Sequence, residues 1–151
     1  MRAVIDTSTL ISCARAGLLS LLDRCELELI TLDVVWAEAV TAGVAGGYAD
    51  VTAVQTSLAG RSVTESPAAA TTDAAVLQSA MDIGVLVTND LALGRRARNV
   101  GVAWLRTADL VILAVRIGAI SRAEGEAALT ALRDARRITA ELAEDYLEEL
   151  R

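Results

Sequence analysis

The sequence predicts an α/β fold, namely a single three-layer α/β/α domain around a central, mostly parallel sheet of four or five strands. The main observation is an alternation of short apolar segments, typical of buried strands, with longer segments whose apolar residues recur at helical spacing. The connections between these segments are short, which favours a parallel sheet covered by helices on both faces. The length of 151 residues suits one domain, residues 1–151, with a sizeable core.

Strands and helices are predicted in turn along the first half of the chain. The predicted strands cover residues 3–5, 27–32 and, with a weaker pattern, 62–65. Apolar residues at helical spacing predict two short helices within residues 10–22, separated by Gly17. Further helices are predicted over residues 34–40 and 48–58. The glycine-rich segment 42–47 between them is predicted as a loop.

The second half of the chain carries the clearest strand pattern. Residues 85–87 are all β-branched or leucine, as expected for a parallel strand buried on both faces, and residues 102–105 are a second predicted strand. Ser121 and Glu124 have the spacing of a capping box, and Gly84 is placed to end a helix. The helices predicted in this half cover residues 72–83, 91–99, 107–117, a segment that begins after Ser121, and a last segment around 142–150.

The composition excludes many kinds of catalysis. The chain has no His, so it cannot contain a Ser-His-Asp triad, a Cys-His pair or the two-histidine motif of zinc proteases. All 14 basic residues are Arg, which excludes a P-loop lysine and Schiff-base chemistry. The side chains left for catalysis are carboxylates, hydroxyls and arginines, together with any metal ion that the carboxylates could hold.

Charge and hydropathy indicate the partners and the location of the protein. A net charge of −6 is unsuited to a protein that coats duplex DNA, although it is compatible with a nuclease whose acids surround metal ions. Asp6 interrupts the first apolar segment, so we expect no signal peptide, no membrane contact and a cytoplasmic location. Cys13 and Cys25 lie in apolar segments and are expected to be buried, reduced thiols. The mean hydropathy of +0.45 indicates apolar surface that a partner chain covers.

Two predicted strands run directly into acidic residues. The first strand is followed by Asp6, and the strand over residues 85–87 is followed by Thr88, Asn89 and Asp90. Because the carboxyl ends of parallel strands meet at one edge of a sheet, we expect both carboxylates at the edge where such sheets bind ligands. The alternative for each residue is a role in a turn or as a helix N-cap.

Two further acids stand out from their surroundings. Glu38 is the one carboxylate within an otherwise apolar helical segment, and Asp73 lies in the predicted first turn of the helix over residues 72–83. The alternative for Glu38 is a solvated helix face. The alternative for Asp73 is an acid that complements the helix dipole.

A cluster of three or four carboxylates without His or Cys has a specific chemical meaning. Like charges a few ångströms apart are costly, and some of the groups would take up protons. Oxygen ligands suit hard cations such as Mg²⁺ or Mn²⁺, which offset this repulsion. Such an ion activates water and neutralises a scissile phosphate, so the pattern predicts metal-assisted hydrolysis of phosphodiester bonds.

These motifs resemble, in their order and spacing, those of a PIN domain, the fold of VapC-type toxins in bacterial toxin–antitoxin pairs. The segments that carry the resemblance are Val4-Ile5-Asp6-Thr7-Ser8, Leu32-Asp33-Val34-Val35-Trp36-Ala37-Glu38, Asp73-Ala74-Ala75-Val76-Leu77, Val87-Thr88-Asn89-Asp90, Arg96-Ala97-Arg98 and Gly101-Val102. The segment Gly118-Ala119-Ile120-Ser121 is similar to one that precedes the final helices of a PIN-related subfamily. The resemblance spans most of the chain.

The resemblance implies a catalytic site of four acids with Mg²⁺ or Mn²⁺ as the cofactor. The four acids would be Asp6, Glu38, Asp73 and Asp90. The three aspartates would be metal ligands, and Glu38 would act directly or through water. The residues that would orient these carboxylates are Thr7, Ser8, Thr88 and Asn89. Many PIN domains carry a further acid two residues after the fourth and then an aromatic, whereas this chain has Ala92 and Leu93.

Several arginines are candidates for contacts with substrate phosphates. They are Arg95, Arg96 and Arg98, which follow the fourth acid, and, with a weaker signal, Arg15 on the first helix. The alternative is a solvated helix face. Trp36 and Trp104 lie among apolar residues and are expected in the core, although both could stack on bases.

The resulting interpretation is a metal-dependent endoribonuclease acting on single-stranded or structured RNA, as the toxin of a type II toxin–antitoxin pair. Its partners would be RNA, a small antitoxin that places an Arg in the acidic site, and a second copy of the chain in a homodimer. The alternative is a non-catalytic PIN-like module that binds RNA or protein, which the low basic content and Ala92 favour. A phospho-acceptor role for Asp6 is disfavoured because such domains use a late lysine, and the chain has none.

Overall fold

The computed structural model describes residues 1–45 and 63–151, which contain a five-stranded parallel sheet. The strands are β1 (Arg2–Ile5), β2 (Glu28–Leu32), β3 (Val63–Thr64), β4 (Val85–Val87) and β5 (Ala103–Leu105). Their order across the sheet is β3-β2-β1-β4-β5, and every neighbouring pair is parallel. The predicted fold class, an α/β/α domain with a mostly parallel sheet of four or five strands, is confirmed.

The described residues form eight helices, numbered in chain order. They are α1 (Thr7–Ala16), α2 (Leu21–Arg24), α3 (Asp33–Ala45), α4 (Thr72–Ile83), α5 (Leu91–Asn99), α6 (Thr107–Arg116), α7 (Arg122–Asp134) and α8 (Ala140–Glu149). The predicted bounds of α4 and α5 agree with the structure. The capping box that opens α7 is confirmed, because the Ser121 hydroxyl accepts the Glu124 N–H and the Glu124 carboxylate accepts the Ser121 N–H.

The prediction of a loop at residues 42–47 is wrong for its first part, since α3 continues to Ala45. The physical reason is that the stretch contains no proline and its alanines favour a helix, so one interior glycine does not end it. Residues 46 and 47 and the predicted helix over 48–58 lie outside the described residues.

The core surrounds the two strands β1 and β4. Both lie inside the sheet, so both of their faces are covered: the side chains of Val4, Ile5, Leu86 and Val87 are at most 1% exposed. Cys13 and Cys25 are buried and form no disulfide, as predicted. Of the helices in the described ranges, none combines the length and the apolar character needed to cross a membrane.

Candidate active site

The carboxyl ends of β1 and β4 bring Asp6 next to residues 88–90. Ile5 pairs with Val87, and the Asp6 N–H donates to the Val87 carbonyl oxygen at 2.9 Å. Asp6 occupies the N-cap position of α1 with extended backbone, but its side chain does not cap the helix. The carboxylate is therefore available for other contacts, although it is only 4% exposed.

The Thr88 hydroxyl connects Asp6 to Asp90. Thr88 Oγ1 donates to Asp6 Oδ2 at 2.9 Å and accepts the Asp90 N–H at 3.0 Å. Ser8 Oγ also donates to Asp6 Oδ2, at 3.1 Å. These bonds hold the carboxylate in one orientation and tie it to the loop that carries Asp90.

Burial raises the pKa of the Asp6 carboxyl above its ordinary value, because the charged form loses hydration. Hydrogen bonds from Thr88, Thr7 and Ser8 act in the opposite direction without cancelling this effect, and the negative charge of Glu38 adds to it. Asp6 forms no ion pair with any residue in the described ranges. Its ionised form is therefore costly unless a cation approaches it.

The other three acids lie on, or at the N-cap of, three different helices. Asp90 is the N-cap of α5, because its Oδ1 accepts the Leu93 N–H at 3.0 Å, as the N-cap alternative predicted. Its second carboxylate oxygen, Oδ2, takes no part in this cap. Asp73 is half-buried in the first turn of α4, which Thr71 caps. Glu38 is exposed on α3.

The pKa of Asp73 responds to the charges of the other three acids. Partial burial is the first cause that raises the pKa of Asp73. The next causes are the negative charges of Asp6, Asp90 and Glu38. The positive charge of Arg96 lowers the same pKa, which places this arginine near the acids.

The donor set of the four acids fits a hard divalent cation. It supplies only carboxylate oxygens, and the chain contains no His that would favour zinc. Within residues 1–45 and 63–151, no group of three or more Asp, Glu, His or Cys side chains is already arranged to hold a metal ion. Uncompensated carboxylates repel one another, so a cation would be needed to draw Asp6, Asp73 and Asp90 together.

Asn89 links the end of β4 to two helices. Its Nδ2 donates to Ser12 Oγ at 2.8 Å on α1, and its Oδ1 accepts the Thr107 N–H at 3.0 Å at the start of α6. Its backbone N–H donates to Ser8 Oγ at 3.0 Å. These hydrogen bonds fix the loop over residues 88–90 against α1 and α6.

Trp104 supports the same loop from the side of β5. Its Nε1 donates to the Thr88 carbonyl oxygen at 2.9 Å, and the indole lies against the backbone of Gly94. A Cβ on Gly94 would lie 2.1 Å from Trp104 Cε2, so only glycine permits this packing. Both tryptophans are half-buried: Trp36 packs against the core as expected, whereas Trp104 packs against Gly94 and the Thr88 loop.

Some residues predicted for the site play a smaller part. The Thr7 hydroxyl is buried and has no hydrogen-bond partner in the described part of the chain, so Thr7 reaches Asp6 only through its backbone. Arg95 and Arg98 are exposed, whereas Arg15 is half-buried on α1. Among the predicted arginines, Arg96 acts on the cluster through its positive charge, which lowers the pKa of Asp73.

Two residues that the sequence reasoning missed join this network. Ser12 Oγ donates to the Ser8 carbonyl oxygen at 2.7 Å, and it accepts a hydrogen bond from Arg137 Nε at 2.9 Å. Ser12 follows Ser8 by one helical turn, which was a usable signal. Arg137 was harder to find, because it lies 125 residues away along the chain.

Three comparisons relate the chain to known proteins. The search of the curated proteins and the search of the solved structures each found no match. A family model described as a PIN domain matches residues 2–151, nearly the whole chain, which confirms the resemblance at the level of the family. PIN domains are generally nucleases that act on nucleic acids with divalent metals. The chain belongs to the PIN domain family.

Proposed function

We propose that the protein is a metal-dependent endoribonuclease that hydrolyses phosphodiester bonds in single-stranded or structured RNA. The observation that carries the proposal is the buried carboxylate of Asp6 at the joined ends of β1 and β4, with Asp90 fixed beside it through Thr88. The preference for RNA rests on the resemblance to VapC-type toxins. Residues 1–151 would form one nuclease domain.

In this proposal Asp6, Asp73 and Asp90 hold Mg²⁺ or Mn²⁺, and Glu38 takes part directly or through water. When bound, such a cation lowers the pKa of a water nucleophile and neutralises charge on the scissile phosphate. Thr88 and Ser8 keep the Asp6 oxygens in a fixed direction, so little reorganisation is needed when the substrate arrives. Arg96 on the rim would attract the phosphate that the acids alone would repel.

A finer proposal is that the protein is the toxin of a type II pair and acts in the cytoplasm. The resemblance to VapC-type toxins supports this role, and the high mean hydropathy supports a homodimer with a small antitoxin. An arginine of the antitoxin would enter the acidic site and neutralise it. Light scattering with and without a co-expressed small protein from the adjoining reading frame tests this, since a strictly monomeric, non-associating chain would contradict it.

A second candidate is a non-catalytic PIN-like module that binds RNA or protein. Ala92 favours it, because many PIN domains carry an additional acid at this place. The two candidates differ in one result: the module would bind RNA but leave it intact in the presence of any divalent cation.

The experiment that separates them is an RNA cleavage assay with Mg²⁺ and with Mn²⁺ on the wild type, Asp6→Asn and Asp90→Asn. Asparagine is nearly isosteric with aspartate and still caps a helix, so α5 keeps its cap in Asp90→Asn. Asp82→Asn, an exposed carboxylate on α4, is the matched control. We expect both site variants to fold but to lose cleavage, and the control to retain it; cleavage at full rate in both site variants would refute the proposal.

A further inference from the structure

A pocket of about 520 Å³ lies beside the acidic site, between the end of β4 and the last two helices. Four arginines line it: Arg106, Arg133, Arg136 and Arg137. We call it the arginine pocket. Asn89 and Leu91 form its border with the acidic cluster, because they flank Asp90 in the chain.

The arginine pocket is a local positive region in a chain of net charge −6. No Asp or Glu is among the described residues that line it. Arg133 contacts the Asp134 carboxylate at 3.1 Å, but these side chains are 37% and 64% exposed. Such solvent-exposed pairs are weak, so an anion that binds in the pocket can replace Asp134 as the partner of Arg133.

Arg136 has an unusual backbone conformation for its residue type. Its φ is 58°, in the left-handed region, at the position after the end of α7 where glycine is usual. Its exposed side chain forms no hydrogen bond or ion pair that involves another residue of the described ranges. The chain therefore places an exposed cationic side chain at the pocket, at a backbone position that favours glycine.

The two remaining arginines are held in place by the residues that build the acidic site. Arg137 Nε donates to the same Ser12 oxygen that accepts from Asn89 Nδ2. The guanidinium of Arg106 lies 4.8 Å from the centroid of the Trp104 ring, and Trp104 in turn holds Thr88. The pocket and the acids are thus parts of one connected framework.

The positive region continues past Arg106. A second cavity of about 390 Å³ is lined by Arg98, Trp104 and Arg106, so Arg106 belongs to both cavities. An extended polyanion could follow this surface from Arg98 through Arg106 to Arg136. No aromatic side chain is among the described residues of the arginine pocket itself, which suits a backbone phosphate better than a stacked base.

We propose that the arginine pocket binds a backbone phosphate of single-stranded RNA adjacent to the scissile bond. The inference rests on the proposed function for the identity of the substrate. The guanidinium fork matches two oxygens of a phosphodiester, and the solvent-accessible Arg133 and Arg136 would make these contacts. Binding there orients the strand across the acids without reading its sequence.

The test is the affinity for a short fluorescent single-stranded RNA, measured by anisotropy in EDTA over a range of salt concentrations. The variant is Arg133→Ala with Arg136→Ala. The control is Arg2→Ala with Arg116→Ala, which removes the same charge from exposed arginines paired with Glu28 and Glu149. We expect the pocket variant to bind about tenfold more weakly. The log–log slope of its salt dependence should fall by about 0.7 for each RNA phosphate that the variant no longer neutralises.

The outcomes separate the pocket from the proposed nuclease activity. Equal RNA affinity in the pocket and control variants would refute the proposed phosphate binding in the pocket, even if the wild type cleaves RNA with Mn²⁺. RNA binding that depends on the pocket arginines, without any cleavage, would support phosphate binding in the pocket and refute the proposed nuclease activity. If the pocket variant loses binding to an acidic peptide, poly-glutamate, but keeps its affinity for RNA, the pocket is a protein site and the proposal is overturned.

Discussion

The acidic cluster and the arginine pocket meet at Asn89, yet the fold constructs them in different ways. Asp6 and Asp90 owe their positions to the backbone, since each follows a strand and the pairing of β1 with β4 sets their separation. Arg136 and Arg137 lie in the connection between α7 and α8, and a side-chain hydrogen bond to Ser12 ties that connection to the site.

Each region also carries a local cost of different origin. In the acidic cluster the cost is electrostatic, because burial and mutual repulsion raise the pKa of Asp6 and Asp73. In the arginine pocket the cost lies in the backbone, at the left-handed Arg136. A bound cation would offset the electrostatic cost in the acidic cluster. In the arginine pocket, the side chain at the strained position would bind a phosphate. Local costs of this kind are typical of functional sites.

After loss of the acids themselves, the largest effect is expected from Thr88→Val, which removes the hydrogen bonds that join Asp6 to Asp90. Valine has the same shape but loses the hydroxyl that donates to Asp6 and accepts from Asp90. Cleavage at limiting Mn²⁺ should fall about 10- to 100-fold, as for other residues that orient metal ligands. Thr130→Val on α7, whose hydroxyl donates to the Glu126 carbonyl oxygen, is the control. Unchanged cleavage in Thr88→Val would mean that the orientation of Asp6 is unimportant.

Gly94→Ala tests the support that β5 gives to the same loop. The added methyl group collides with the Trp104 indole, so the free energy of unfolding should fall by about 1–3 kcal/mol. Gly101→Ala is the control for backbone strain without a collision, because its added Cβ would meet no atom within 4 Å while its φ of 81° disfavours alanine. Urea denaturation of both variants measures the difference. A smaller loss in Gly94→Ala than in Gly101→Ala would contradict the described packing of Trp104.

Arg136→Gly separates stability from binding in the arginine pocket. Glycine relieves the left-handed strain but gives the unfolded chain more freedom, so the free energy of unfolding should rise by up to about 1 kcal/mol. RNA affinity should fall at the same time. Glu26→Gly is a matched control, because Glu26 also has a positive φ, 55°, and lies outside the pocket. It should become more stable with unchanged affinity; equal affinity in both variants would remove Arg136 from the RNA-binding surface.

The smallest effect concerns the pH dependence of stability without a cation. The folded-state pKa of Asp73 lies above its ordinary value of 3.8, so the native state binds protons more readily than the unfolded state in this range. Stability contributed by Asp73 is therefore highest at acid pH and falls as the pH rises from about 3.8 towards neutrality. Asp73→Asn should raise Tm at neutral pH and leave it unchanged at acid pH. Thermal melts with Asp82→Asn as the control measure this, and a lower Tm at neutral pH would contradict it.

The sequence allowed the sheet and the acidic residues to be predicted because both depend on local patterns. The apolar triplet over residues 85–87 identifies β4 without further information, and the acids that follow two strands must lie at one edge of the sheet. Helix α4 was predicted with its observed bounds, since Gly84 ends it. The extension of α3 to Ala45 was missed because the glycines after it suggested a loop.

The arginine pocket could not be predicted in the same way. Three arginines in residues 133–137 are a visible cluster, but the sequence does not show that the turn after α7 packs beside Asn89. That placement depends on contacts between residues far apart in the chain, such as Arg137 with Ser12. The arginines closest to Asp90 in sequence are therefore the natural candidates, and one of them, Arg96, acts on Asp73.

Calorimetric titration with Mn²⁺ at neutral pH tests the central claim most directly, namely that acids at the ends of β1 and β4 form a divalent cation site. We expect saturable binding to the wild type and to Asp82→Asn. In Asp6→Asn the affinity should fall about tenfold or more. Equal Mn²⁺ affinity in Asp6→Asn and the wild type, or no binding to the wild type, would contradict the claim.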